Sequence, residues 1–233
     1  MQSIFKEFTL GIFLCFVPLI LAIALFSIAF KIKITHQLIA VLLGLAAVLP
    51  ISFLQYFIPD FSALFKSPIL FSLIKSLLIY GLIEEAFKTL LLLPVPHKLY
   101  DEANQCRDFI FLSFIMGLSL GCFESVVYYF DHLQIANSRG ATLLYGQIAV
   151  RIFTSDIIHL TCTGLCGMFI YSIRHKERRI SLFITAVVLH GIYDFFAGFS
   201  STSNLRWFSI AVVLMAIAEC RIKYTSMKNN EKQ

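Results

Sequence analysis

An all-α, polytopic membrane bundle of about seven transmembrane helices is the fold predicted for this chain, and three observations predict it. Hydrophobic residues make up 58% and charged residues 14% of the 233 positions, with a mean hydropathy of +0.82, far from the mix of a soluble domain. Apolar runs recur that reach the roughly 20 residues a helix needs to cross a bilayer. The linkers between them are short, so residues 1–233 are read as one transmembrane domain with no soluble module.

The first run, Phe8 to Phe30, is longer than the apolar core of a signal peptide, and KIKITHQL follows it rather than a small-residue cleavage site. It is therefore read as an anchor. The second run begins near Gln37, the third near Ser67, and the fourth near Phe109. The fifth, Ala141 to Ile173, is too long for one simple crossing and is expected to open with an interfacial or re-entrant turn before Arg151. The sixth begins near Ile180 and the seventh near Leu205. The tail that follows, about residues 224–233 and rich in Lys and Asn, reads as disordered.

Charge sets the orientation. Twelve Lys and Arg residues fall on one side of this topology: Lys31, Lys33, Lys98, Arg107, the cluster Arg174 to Arg179, and the basic residues from Arg221 onward. Four fall on the other, namely Lys6, Lys66, Arg139 and Arg206. By the positive-inside rule the N-terminus is outside and the C-terminus cytoplasmic. The run RHKERR is accordingly a topogenic loop and not a nucleic-acid patch. A compact chain without a cleaved leader fits a bacterial plasma membrane.

Six cysteines without a paired framework suggest reduced thiols, and Cys15, Cys122, Cys162 and Cys166 lie inside apolar runs, where Cys is usually a small hydrophobe. His159, Cys162 and Cys166 share a helical face at i, i+3 and i+7, which fits packing.

The third run is different in kind. A charged residue at the centre of a transmembrane helix costs about 2.5 to 3.5 kcal/mol on the insertion scale. Lys75, Glu84, Glu85 and Lys88 together would cost roughly 10 kcal/mol if ionised and facing lipid, so they must meet one another, other helices or a watery cavity. Lys88 is at i+4 from Glu84, while Glu85 points about 100° around the helix, so spacing pairs Lys88 with Glu84 and leaves Glu85 in need of a partner. Later runs supply polar groups: Glu124 in GCFESVVYY, His159 in SDIIHLTCTG, and His190 with Asp194 in VLHGIYDFF. Singly, each has a packing explanation. Jointly, at similar depth in four consecutive runs, they form an expensive constellation that calls for a function. Gly117, Gly121 and Glu124 share a face, which lets that helix approach a neighbour closely.

Two imidazoles and a carboxylate suffice to hold a catalytic Zn²⁺ with an open position, a further Glu serving as base for water. Without metal, paired glutamates with separated acidities can activate water themselves. Either chemistry is hydrolytic. Among the glutamates, Glu85 is the expected general base, because Glu84 is assigned to Lys88.

At these residues the sequence resembles a known family. EEAFK, residues 84–88, resembles the EExxK motif of PrsW-type intramembrane proteases, which are similar to the CAAX prenyl-protease and bacteriocin-immunity superfamily. A Glu in the next run (Glu124), a His in the one after (His159) and HxxxD at His190 and Asp194 follow in the family's order. The resemblance spans roughly residues 67–200. It implies that Glu84 and Glu85 are the catalytic pair, helped by Lys88 and Asp194, that Glu124, His159 and His190 bind metal or position water, and that the substrate is a membrane-anchored protein or lipidated peptide. One departure is Ser125, where the family usually carries Asn after its Glu. Two other functions are compatible with intramembrane Glu, His and Asp. One is a proton- or cation-coupled transporter, although no pair of interrupted helices in related halves is visible. The other is a non-catalytic scaffold or immunity protein on the same fold.

Overall fold

The computed structural model describes residues 2–95, 105–139, 141–177, 179–200 and 202–230, and within these every regular element is helical. The helices are α1 (Gln2–Phe30), α2 (Ile34–Phe57), α3 (Pro68–Lys75), α4 (Ile83–Leu92), α5 (Gln105–Arg139), α6 (Ala141–Phe153), α7 (Ser155–Arg174), α8 (Ile180–Ala197) and α9 (Phe208–Asn230). Lys98, Arg178 and Lys232, part of the charge argument, lie outside the described residues.

Five stretches among the described residues are both long and apolar enough to cross a membrane: Thr9–Phe30, Ile34–Phe57, Cys106–His132, Leu144–Arg174 and Ile180–Ala197. This is an integral membrane protein. The two remaining expected crossings are long enough but interrupted by charge, Pro68–Leu92 by Lys75, Glu84, Glu85 and Lys88, and α9 by Glu219, Arg221 and Lys223. The α9 helix continues to Asn230, so the expected disordered tail is helical up to there, and residues 231–233 lie outside the described residues.

Burial separates centre from periphery. Over 18 apolar residues of each stretch, 17% are buried in the first and 28% in the second, against 72% within Cys106–His132 and 78% within Leu144–Arg174. The bundle is therefore built around α5 and α7, with α1 and α2 presenting apolar surface outward, as lipid-facing helices do. Gly117 lets the central pair touch: a Cβ there would overlap the His159 carbonyl oxygen, so the expected close approach of α5 meets α7.

Two departures from straight helix shape the interior. Between α3 and α4, residues Ser76–Leu82 form a π-helical turn, a wide winding often found at functional sites. It packs on α8 through Gly191, where a Cβ would come within 2.7 Å of Leu77 Cα. The long fifth run is divided at Thr154 (φ −127°, ψ −76°), three residues beyond Arg151, rather than by the turn expected before Arg151. The break is held by side chains: Thr154 Oγ1 donates to Val150 O (2.7 Å) and accepts from the Tyr193 hydroxyl (3.0 Å). Arg174 closes the far end of α4, donating to the carbonyls of Leu93 and Val95 at 2.8 Å each.

Candidate active site

The α4, α5, α7 and α8 helices bring Glu84, Glu85, Lys88, Glu124, His159, His190 and Asp194 around one interior point, uniting every site residue expected from sequence. Their pairing differs from the expectation. Lys88 Nζ lies 2.7 Å from Glu85 Oε1 and 3.9 Å from Glu84 Oε2. Residues at i+3 and i+4 share a helix face, and the choice between them is made by tertiary context. Here His190 Nδ1, 2.6 Å from the same Glu85 oxygen, draws that carboxylate toward Lys88. Cys166 Sγ adds a donor to Glu85 Oε2 at 3.3 Å. Glu85 is thus fully buried with donors on both oxygens.

Glu84 has the opposite surroundings. Its Oε1 accepts from Gln55 Nε2 on α2 at 3.0 Å. Its Oε2 is buried and has no hydrogen-bond partner among the described residues. That oxygen faces His190 Nε2 at 3.6 Å, His159 Nδ1 at 3.8 Å and Lys88 Nζ at 3.9 Å. An orphaned buried carboxylate oxygen costs about 1–3 kcal/mol or more, so something is expected to fill the gap before it.

Both imidazoles are aimed by carboxylates. Glu85 holds Nδ1 of His190, and Glu124 Oε2 holds Nε2 of His159 at 2.9 Å. A carboxylate accepts, so each held nitrogen donates; in the neutral ring the other nitrogen bears a lone pair, which His190 Nε2 turns toward the gap and His159 Nδ1 turns toward the Lys88 ammonium. Lys88 Nζ also reaches His159 Nδ1, at 3.0 Å. Asp194 Oδ2 stands 3.5 Å from His190 Nε2. Glu124 and Asp194 are the more accessible carboxylates of the site, their side chains 32% and 26% exposed against 7% for Glu84 and 0% for Glu85.

The donor set suits a divalent metal. Glu84, His159 and His190 each offer one ligand atom, all within 4.8 Å of one another. Zinc bonds of about 2.0–2.2 Å in a tetrahedral shell separate ligand atoms by roughly 3.3–3.6 Å, close to the spacing of the orphaned oxygen from the two ring nitrogens. The expected set of Glu124, His159 and His190 shares both histidines with this group, while Glu124 stands behind His159 as the carboxylate that orients a ligand.

The family model for PrsW family intramembrane metalloproteases matches residues 33–218. The chain belongs to the PrsW family. The match reaches well beyond the 67–200 stretch that carries the sequence motifs. Comparison with curated proteins and with solved structures finds no match. Membership of the PrsW family makes the chain an intramembrane protease of the metal-dependent kind, and a histidine-and-glutamate cluster that can hold a metal ion agrees with it.

Several residues of this PrsW site were not singled out from sequence. Gln55 had only the weak signal of an amide near the end of an apolar helix. Ser125, the departure from the family's usual Asn, accepts from Arg151 Nε at 3.0 Å and donates to the buried Asp156 Oδ1 at 3.1 Å. Arg151 also reaches Ser155 Oγ at 3.1 Å and Glu124 Oε2 at 3.6 Å, and its guanidinium lies 4.8 Å from the Tyr128 ring centroid. Ser125 therefore links the back of the site to Asp156 and Arg151. Cys166 packs in the hydrophobic core as expected and also donates to Glu85; the six cysteines are free thiols, as expected.

Proposed function

We propose that the protein hydrolyses a peptide bond of a membrane-anchored protein or lipidated peptide, with Glu84 as the carboxylate at the reacting centre and Glu85 as its support. The observation that carries this is the contrast in partners: Glu84 Oε2 has no hydrogen-bond partner among the described residues and faces two imidazole nitrogens, whereas both oxygens of Glu85 are held by donors. A water in that gap donates one hydrogen bond to His190 Nε2 and gives its other proton to Glu84 Oε2 as its oxygen attacks the substrate carbonyl carbon. The same proton then passes to the departing amine, which balances the hydrolysis. Glu84, His159 and His190 are also the residues that would hold zinc, which when bound supplies Lewis-acid polarisation of the carbonyl and a more acidic water. If Glu84 held the metal, the partly exposed Asp194, 3.5 Å from His190 Nε2, would be the carboxylate placed to carry the proton.

Enclosure by α4, α5, α7 and α8 keeps bulk water and lipid away, so polar contacts within the site are stronger than at a surface. The loop after Arg174 and the end of α9 are assigned to the cytoplasm on the distribution of basic residues, in a bacterial plasma membrane. A single Cys introduced near Lys176 tests the assignment: labelling only from outside reverses the topology.

The test of function is a comparison of membrane peptides from cells making the wild-type protein and cells making Glu84→Gln at equal abundance. Products present with the first and missing with the second support proteolysis and name the substrate. Identical peptide sets would remove Glu84 from the chemistry.

A further inference from the structure

Beside the site, where α2 ends and the chain turns into α3, lies a cavity of about 360 Å³. This is within the size range of small-ligand pockets, on the order of 300–1,000 Å³. Its walls include Gln55, Asp60, Phe61, Phe71, Lys75 and Tyr80. Gln55 is the residue whose Nε2 donates to Glu84 Oε1 at 3.0 Å, so one amide side chain forms both the cavity wall and the hold on the reacting carboxylate.

The charges of the cavity are not equivalent. Asp60 Oδ1 already accepts from the Ser62 backbone N–H at 2.8 Å. Lys75 Nζ sits 5.6 Å from the Tyr80 ring centroid, and among the described residues no carboxylate lies within ion-pair distance of it. Asp60, the carboxylate that shares the cavity, lies beyond ion-pair distance and is already held by Ser62, so the Lys75 ammonium keeps an open position for an anion. The Phe61 and Phe71 rings, 5.1 Å apart between centroids, add an apolar wall suited to a side chain or an extended backbone.

On the proteolytic reading above, we propose that this cavity is a specificity subsite that takes the substrate polypeptide flanking the scissile bond, with Lys75 pairing an acidic side chain of that flank. The segment enters between the α2–α3 connection and the π-helical turn, and Gln55 joins its docking to the position of Glu84. The protein thereby prefers membrane peptides carrying Asp or Glu on the flank nearest the α2–α3 connection.

The test uses full-length protein in liposomes with a mixed library of bilayer-spanning peptides that are identical except for an acidic, neutral or basic flank. Two readouts are taken: cleavage by mass spectrometry, and photocrosslinking from a benzophenone amino acid at Phe71 or, in a second variant, at Phe61. Acidic-flank peptides are expected to be cleaved about ten- to a hundredfold faster than basic ones, the scale of one pocket contact. They are also expected to dominate the crosslinks. Lys75→Glu is expected to reverse the preference and Lys75→Gln to flatten it. Cleavage whose flank preference does not respond to either Lys75 variant overturns the subsite and leaves proteolysis standing. Charge-dependent crosslinking without cleavage supports the subsite and overturns the proteolytic reading. Crosslinks to lipid alone, or none to any peptide, overturn the subsite whatever the cleavage result.

Discussion

The polar interior has two walls that differ more than adjacent sequence positions would suggest. Around Glu85, Lys88, His190 and Cys166 close in, and neither the glutamate nor the lysine has exposed side-chain surface. Around Glu84 the contacts are sparse, with one oxygen held by Gln55 and the other left facing two ring nitrogens, beside the partly exposed Glu124 and Asp194. On the proposed function, neighbouring carboxylates with the same intrinsic chemistry have opposite tasks: the buried ion pair of Glu85 fixes geometry, and the under-satisfied carboxylate of Glu84 is free to react.

The most decisive way to break the comparison is to neutralise each glutamate in turn. Glu84→Gln is expected to lower cleavage by about a hundredfold to ten-thousandfold, the range for loss of a general base, at unchanged abundance and thermal midpoint. Glu85→Gln is expected to lower abundance and midpoint together with activity. A folded, inert Glu85→Gln beside an active Glu84→Gln would exchange the two roles. Next in size is Lys88→Met, which strands the buried carboxylate of Glu85 and is expected to cost about 3–5 kcal/mol in denaturation measured in detergent. A loss below about 1 kcal/mol would mean that the sealed wall does not depend on the pair. On the open wall, Glu124→Gln removes the carboxylate behind His159. It is expected to weaken zinc binding about 10- to 100-fold in a chelator competition, and unchanged affinity would detach Glu124 from the site. The smallest effect is expected for Ser125→Ala, which takes a hydrogen bond from the buried Asp156 and should destabilise by about 1–3 kcal/mol without altering metal affinity.

Much of this was legible in the chain itself. Composition and run length were enough for a helical membrane bundle, because the bilayer imposes a length and an apolarity that few other environments demand. Glu84, Glu85, Lys88, Glu124, His159, His190 and Asp194 stood out for the same reason: polar groups are conspicuous against lipid-like sequence. The partners of each were not legible. Spacing on α4 allowed Lys88 to reach Glu84 or Glu85, and the choice rests on His190, 105 positions away. Gln55 lies 29 positions from Glu84, and no local pattern announces that contact. The break at Thr154 was displaced from its expected place because tertiary hydrogen bonds from Tyr193 and the Arg151 network stabilise it, where neither Pro nor Gly marks the position.

The contact of α5 with α7 at Gly117 has a mechanical consequence. The α7 backbone lies directly on the side-chain-free Gly117, with the Thr163 side chain packed beside it, and the next turn repeats the fit, with a Cβ on Gly121 falling 2.9 Å from the His159 ring. Packing this close resists sliding of one helix on the other and so holds the distance between Glu124 and His159. Any displacement large enough to admit a polypeptide has to be borne elsewhere, by elements whose windings are already irregular: the wide turn Ser76–Leu82 ahead of Glu84 and the joint at Thr154. The site is in effect a close-packed jaw, α5 with α7, facing a jointed one, and Glu84, the proposed reacting carboxylate, rides on the jointed jaw.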